Sequence, residues 1–406
     1  MSELSYMQKR SCFWRISRKL CAFFTLQLKR SILKVELKRT VIKTVYFNKG
    51  SRIRLFNLDL HSSVIEDISK GLMSLTEGVE LVRWSISGRN RIGRRFLDIP
   101  DPVRFVNNQN WLDLSDEKIE NFNENYGRFL KQFDGFIVTH TPSFVQIFQS
   151  YNKPILMINS TRYEAPYSNN YTSWRKLNDS LVELTRSNTL TAVSNNEGDR
   201  EYLYQRTLID SDVVPSVCDY IDRVDISTSN EILVFARSKD LQQKIIASSL
   251  LNLQPSYDSF IPYSRICSAR AILVIPQNIS TMMLFELATL GIPVIIPSRS
   301  LIYSLIRDGY TVLSELSYFQ VYGLSTNDLK SSDLNNYNSQ DFYKNWLKYA
   351  DFYNPELMPN VVVIDDFTEL VNLDFHRIRR SINTDLRNSS LISGRSDLLR
   401  KFLAKV

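Results

Sequence analysis

Between Ala271 and Ser298 the sequence AILVIPQNISTMMLFELATLGIPVIIPS sets three short polar residues, Asn278, Ser280 and Thr281, and one carboxylate, Glu286, into an otherwise apolar run. Polar residues at the start of a helix suit an anion, because the unbonded N–H groups of the first turn and the helix dipole both favour a phosphate there. The elements that must position them can be read directly. Ala271–Ile275 is a continuous apolar run, as in a parallel strand buried on both faces. Pro276-Gln277-Asn278 breaks it, and Ser280 can cap the next helix. Gly291 can take the left-handed conformation that ends that helix, Pro293 bars its continuation, and Val294–Ile296 is a second buried strand. The polar loop therefore falls at the carboxyl end of a strand, where open α/β sheets bind ligands.

Similar alternation runs through the rest of the chain. Arg52–Leu60, Val79–Ile86, Phe136–Thr139, Pro154–Ile158, Leu190–Val193 and Val213–Ser216 read as strands. Helical segments lie between them, the clearest being Ser115–Phe133, where Ile119, Phe122, Tyr126, Phe129, Leu130 and Phe133 share a face. The polar stretch Asp222–Asn230 marks a boundary, after which Glu231–Ala236 opens a second set of strands that ends near Val361–Ile364. The pattern predicts an α/β protein with two Rossmann-like, doubly wound parallel-sheet domains, at 51–224 and 225–384, and a terminal helix at 385–406.

At this point the sequence resembles a known family. Asn278 through Val294 is similar to the nucleotide-sugar site of GT-B glycosyltransferases, especially the large retaining group. Their pattern is an acidic residue, seven residues, a Glu on the helix, and then a small-residue turn and G-x-P-V. Glu286 matches the helix Glu, and Glu-Leu-Ala-Thr-Leu-Gly-Ile-Pro-Val matches the remainder of that pattern. Asn278 stands at the earlier acidic position, so the sequence departs from the pattern there.

The resemblance implies two domains facing a cleft, with the donor on the second, the acceptor on the first and the terminal helix crossing back. It places Arg237 and Lys239, after the first strand of the second domain, against the diphosphate, and Glu286 on a ribose or sugar hydroxyl. Asn278, Ser280 and Thr281 would serve the donor as well. In the first domain, Asp59, His61 and His140 are candidate bases for the acceptor hydroxyl, His being suited to work near neutral pH. Arg162, Tyr163 and Glu164 supply a ring face and charged groups for an acceptor sugar or phosphate. Each has a plainer reading as a cap, a core residue or a solvated loop. No metal is expected: there is no D-x-D in a suitable loop, and Asp365-Asp366 reads as a helix cap. The nucleotide sugar is then a co-substrate, with no cofactor, and the product a surface polysaccharide or glycoconjugate. A nucleotide-sugar epimerase of the same fold and a catalytically silent scaffold are the alternatives.

Other signatures exclude function classes. There is no P-loop, no G-x-G-x-x-G and no G-x-S-x-G. Cys12, Cys21, Cys218 and Cys267 form no C-x-x-C pair, and the three His residues, the third being His376, are far apart, which argues against a structural zinc site. The basic charge is concentrated in residues 1–50, which hold 12 Lys and Arg against 2 Glu in a chain of net charge +7. There Phe13, Ile16, Leu20, Phe24 and Leu28 recur at helical spacing with Arg15, Arg18 and Lys19 largely between them. That is the pattern of a basic amphipathic helix on an anionic membrane surface, or of a helix docked on the body with its charges solvated. Leu20–Leu28 resembles a short signal-peptide core, but Lys29-Arg30 stands where a small-residue cleavage site belongs. Nucleic acid is not an expected partner, since no basic pattern continues beyond this segment. The longest apolar runs are too short to span a bilayer, so the expected location is cytoplasmic, with peripheral membrane contact through residues 1–50.

Overall fold

The computed structural model describes residues 53–60, 62–86, 105–107, 110–139, 142–160, 165–167, 170–221, 229–236, 238–247, 253–255, 261, 263–311 and 342–406. The basic segment 1–50 lies outside the described residues, and so do His61, His140, Arg162, Tyr163, Glu164 and Arg237.

Two parallel sheets carry the fold, as the alternation of the sequence predicts. The first is formed by β1 (Ile53–Asp59), β2 (Val79–Ser85), β3 (Gly135–Val138), β4 (Ile155–Asn159), β5 (Leu190–Ser194) and β6 (Asp212–Val213), in the order β2-β1-β3-β4-β5-β6. Its helices are α1 (Ser62–Leu75), α2 (Asp116–Leu130), α3 (Val145–Phe148), α4 (Tyr171–Arg186) and α5 (Glu197–Thr207). The second sheet is formed by β7 (Ile232–Phe235), β8 (Leu253–Pro255), β9 (Ala271–Val274), β10 (Val294–Pro297) and β11 (Val361–Ile364), in the order β11-β10-β9-β7-β8. With it run α6 (Lys239–Ala247), α7 (Tyr263–Ser268), α8 (Met282–Leu290), α9 (Arg299–Arg307), α10 (Phe342–Leu347), α11 (Phe375–Ser381) and α12 (Asp385–Leu403).

Local chemistry accounts for the elements. Ser115 caps α2 by accepting from Lys118 N at 3.3 Å, and Asp116 and Glu117 in the first turn match the helix dipole. Its apolar stripe closes over Phe56 and Trp84: Phe56 lies edge-on to Trp84 at 5.0 Å, and Phe129 stacks on Trp84 at 5.5 Å. Much of the chain's aromatic content is thus core. The opposite face of the first sheet buries Leu55, Ile137, Leu156 and Val193 under Ile65, Ile68 and Leu72 of α1 and Leu398, Leu399 and Phe402 of α12. In the second sheet, Val234, Leu273 and Ile295 form a core with Ile245, Leu305, Leu370 and Phe375.

Some expectations change. The helix expected from Pro142 is a 3-10 turn, then α3, then a second 3-10 turn ending at Tyr151. The strand expected over Val213–Ser216 is confined to Asp212–Val213. The cap expected at Asp365-Asp366 is present: Asp366 caps a short 3-10 helix, Phe367–Asn372, in a reciprocal capping box with Glu369.

Candidate functional site

In the second sheet β7 lies beside β9, and the chain leaves these neighbours in opposite directions, towards β8 on one side and β10 on the other. Ligands favour the carboxyl ends of such a pair. α6 starts there under a Ser238 cap, with Leu241 N donating to Ser238 Oγ at 3.1 Å, and Lys239 is exposed at its first position. α8 starts across from it. Its N-cap is Thr281, extended at φ −144°, whose side chain makes no capping bond. Thr281 Oγ1 is buried without a partner. This corrects the capping role expected of Ser280, whose hydroxyl instead donates to Asp351. At the far end Gly291 takes φ 65° and its N–H returns to Ala288 O and Leu287 O, as the Gly-x-Pro turn predicts. Asn278, Ser280 and Thr281 are all half-buried.

Asp351 is one of the residues that sequence reasoning missed. It is 5 % exposed, and its N–H donates to Ile279 O at 3.0 Å. Burial pushes its carboxyl up to about 8, against the lowering hydrogen bond from Ser280, and the charges of Asp199 and Glu197 push it further in the same direction. Near neutral pH it is therefore mostly uncharged. It lies 71 positions beyond Ser280 amid aromatic residues, with no motif to mark it.

Glu286 faces away from open solvent. It is 1 % exposed, and Tyr220 OH donates to its Oε1 at 2.5 Å. Burial raises its carboxyl to about 8; the Tyr220 hydrogen bond opposes the rise and Asp67 adds to it. Nearby, Thr289 Oγ1 donates to Val217 O at 2.6 Å, and Arg387 Nη1 donates to Thr289 Oγ1 at 3.1 Å. These bonds bind α8 to the segment leaving β6 and to α12.

That segment is held on its other side by ions. Asp67 accepts from Val217 N and Cys218 N at 3.1 and 2.7 Å, and Cys218 sits at φ 63°. Arg395, its side chain 2 % exposed, bonds Asp67 Oδ1 at 2.9 Å and both oxygens of Asp219 at 2.8 Å. Gly71 lies under this arginine: a Cβ there would come within 2.8 Å of Arg395 Nε.

The first sheet presents a buried polar row at its strand ends. Asp59, fully buried, ends β1, and its carbonyl accepts from Ile86 N at 2.8 Å. Asn57 Nδ2 donates to Ile137 O at 2.9 Å, and Asn159 Nδ2 donates to Asp199 O at 3.1 Å. The loop before α8 reaches this sheet at the start of α5. Ile279 is 2 % exposed, and a Cβ on Gly198 would lie 2.4 Å from its Cδ1. Gly198→Ala is therefore expected to cost about 1–2 kcal/mol in urea unfolding, and adding Ile279→Val, which removes the offending methyl, should recover most of it.

Among the described residues no group of three or more His, Cys, Asp or Glu side chains is arranged to hold a metal ion, and no helix is long and apolar enough to cross a membrane. No protein-family model and no curated protein sequence matches the chain. Solved structures do match over most of its length. A putative UDP-N-acetylglucosamine 2-epimerase from Listeria monocytogenes is 10% identical, with a TM-score of 0.46 over 88% of this chain and 98% of that one. The UDP-GlcNAc 2-epimerase from Neisseria meningitidis, bound to UDP-GlcNAc, is 12% identical, with a TM-score of 0.44 over 87% of this chain and 100% of that one. The glycosyltransferase SnogD from Streptomyces nogalater is 10% identical, with a TM-score of 0.39 over 87% of this chain and 96% of that one.

Proposed function

We propose that this chain is a GT-B-type glycosyltransferase that moves a sugar from a nucleotide-activated donor to a hydroxyl of a glycan, lipid or protein, in the building of a surface polysaccharide or glycoconjugate. The observation that carries the reading is the start of α8. It lies at the strand-order reversal of the second sheet, lacks a side-chain cap, and holds the buried, unpartnered Thr281 Oγ1. Such a place offers N–H groups and a positive dipole end to a diphosphate.

In this reading Asn278 and Thr281 meet the donor from one side, and Arg237 and Lys239 neutralise the leaving diphosphate from the other. The acceptor lies against the strand ends of the first sheet, with Asp59, His61 and His140 as candidate bases and Arg162, Tyr163 and Glu164 beside it. The acceptor oxygen bonds to the anomeric carbon, its proton passes to the base, and the diphosphate departs with the electrons of the broken C–O bond. Asp351, bonded to Ser280 and mostly protonated near neutral pH, adds little negative charge against the anion.

Thermal-shift titration with nucleoside diphosphates and nucleotide sugars tests the reading, since a ligand that binds only the native state raises its stability. At least one is expected to raise Tm in a saturable way. The double variant Arg237→Ala, Lys239→Ala should weaken binding tenfold or more with little change in the unliganded Tm. Turnover of the nucleotide sugar without an acceptor would convert the reading to an epimerase, and the absence of any nucleotide binding would leave a scaffold.

The same titration has a pH signature. Asp351 loses its proton as pH rises through about 8, and the resulting carboxylate repels an anion at the α8 N-terminus. Nucleotide affinity should fall several-fold between pH 7 and pH 9, and Asp351→Asn should abolish that fall.

A further inference from the structure

A cavity of about 540 Å³ opens beside α12, next to the loop before α8 that Asp351 holds. That is within the ordinary range for small-molecule sites, roughly 300–1,000 Å³. One wall is apolar, made of Val214, Pro215, Leu357 and Leu391. Polar lining comes from Glu197, Asp351, Asn354 and Ser390. Asp351 is the decisive member: it is nine-tenths buried, it lines the cavity, and its Oδ2 has no hydrogen-bond partner although its other side receives Ser280. A buried polar atom left in this state calls for a partner. The cavity also reaches the backbone of α12 at Gly394, where a Cβ would meet nothing within 4 Å. Ser390 lies one turn earlier on the same helix face.

We propose that this cavity binds an uncharged sugar, as a single ring or a short glycan, at a site that adjoins the nucleotide site. The choice of ligand comes from the lining. Apolar side chains together with hydroxyl, amide and carboxyl groups match a sugar ring, which presents C–H faces between hydrogen-bonding edges. Phosphate is disfavoured because Glu197 matches the lining's one lysine, Lys348, and leaves no net positive charge. A cation is disfavoured because Lys348 offsets Glu197 and the buried Asp351 is held mostly protonated, in which form it donates as well as accepts. A purely apolar molecule would leave the polar edge unsatisfied. The cavity adjoins the loop before α8 through Asp351, which Ser280 bonds, but the inference rests on the lining and not on the nucleotide reading, and sugar binding is measured without nucleotide.

Titration calorimetry of the full chain tests it with glucose, galactose, N-acetylglucosamine, maltose and cellobiose, beside inorganic phosphate and putrescine as charged probes. At least one sugar should bind saturably. Gly394→Leu fills the cavity without removing a hydrogen bond and replaces a helix glycine with a better helix former. It should weaken the sugar at least tenfold while leaving Tm equal or higher and nucleotide binding unchanged. Ser390→Trp, from the adjacent turn, should do the same and guards against a folding defect in the first variant. The proposal is overturned if no sugar binds, if phosphate or putrescine binds in preference, or if both filling variants bind the sugar as the natural sequence does.

Discussion

Replacing Arg395 with Met is expected to lower stability by about 3–5 kcal/mol at pH 8. The side chains of Arg395 and Asp67 are 2 % and 4 % exposed, and the arginine also grips Asp219. Its removal leaves a buried carboxylate that the N–H groups of Val217 and Cys218 alone must hold. Burial raises the Asp67 carboxyl even with the arginine beside it, whose charge opposes the rise. Between the ordinary carboxylate pKa and that raised value the folded state keeps a proton that the unfolded chain releases, so stability falls as pH rises. Without Arg395 that fall extends to higher pH. Urea unfolding should accordingly show the loss shrinking from pH 8 to pH 5, where protonation relieves the orphaned Asp67 carboxyl. Adding Asp67→Asn and Asp219→Asn should restore much of the stability at pH 8. A loss that stays constant with pH would mean that packing over Gly71, rather than charge, dominates.

Glu286→Gln is expected to act in the opposite direction. The natural carboxyl is raised by burial from 4.5 to about 8, so between those values the folded state holds a proton that the unfolded chain gives up, and stability declines across that window. Gln has no such proton and still accepts from Tyr220. The variant should match the natural protein near pH 4.5 and exceed it by up to about 5 kcal/mol at pH 8.5, given about 1.4 kcal/mol per pKa unit. Equal stability at both pH values would sink the assignment of a buried, costly carboxyl. Nucleotide-sugar titration of the same variant reads the donor role that the family resemblance implies for Glu286. A tenfold loss of affinity assigns the carboxylate to the donor, and unchanged affinity assigns it to the bond with Tyr220.

The parts of the fold that could be read from the sequence are those whose signals are local. β9 and β10 are unbroken apolar runs, Gly291 ends α8 where only a residue tolerant of positive φ fits, and α2 has both a cap and an aromatic stripe. α4 carries its buried Trp174, Leu177 and Leu181 among so many polar residues that its stripe is masked, and α10 is only six residues long. At the site, the strand-end position and the loop before α8 were legible because strand and helix punctuation sets both. Asp351, Tyr220 and Arg395 were not. Arg395 and Asp67 are 328 positions apart, and each looks like an ordinary surface charge until the fold brings them together. The environment of Glu286 was hidden for a related reason: an acidic residue among apolar neighbours on a helix does not say which face is covered, and here Tyr220, from outside the helix, does the covering.

Leu398, Leu399 and Phe402 of α12 complete the core over β1, β3 and β4, yet they come after the entire second sheet in the chain. On the ribosome, where domains generally form in the order they emerge, the first sheet would be made early and left unsealed. Its apolar flank would stay open to chaperones or to other nascent chains until α12 cleared the exit tunnel. The portion synthesised first is thus the one that matures last, and a premature stop ahead of α12 would harm the amino-terminal sheet more than the sheet beside it.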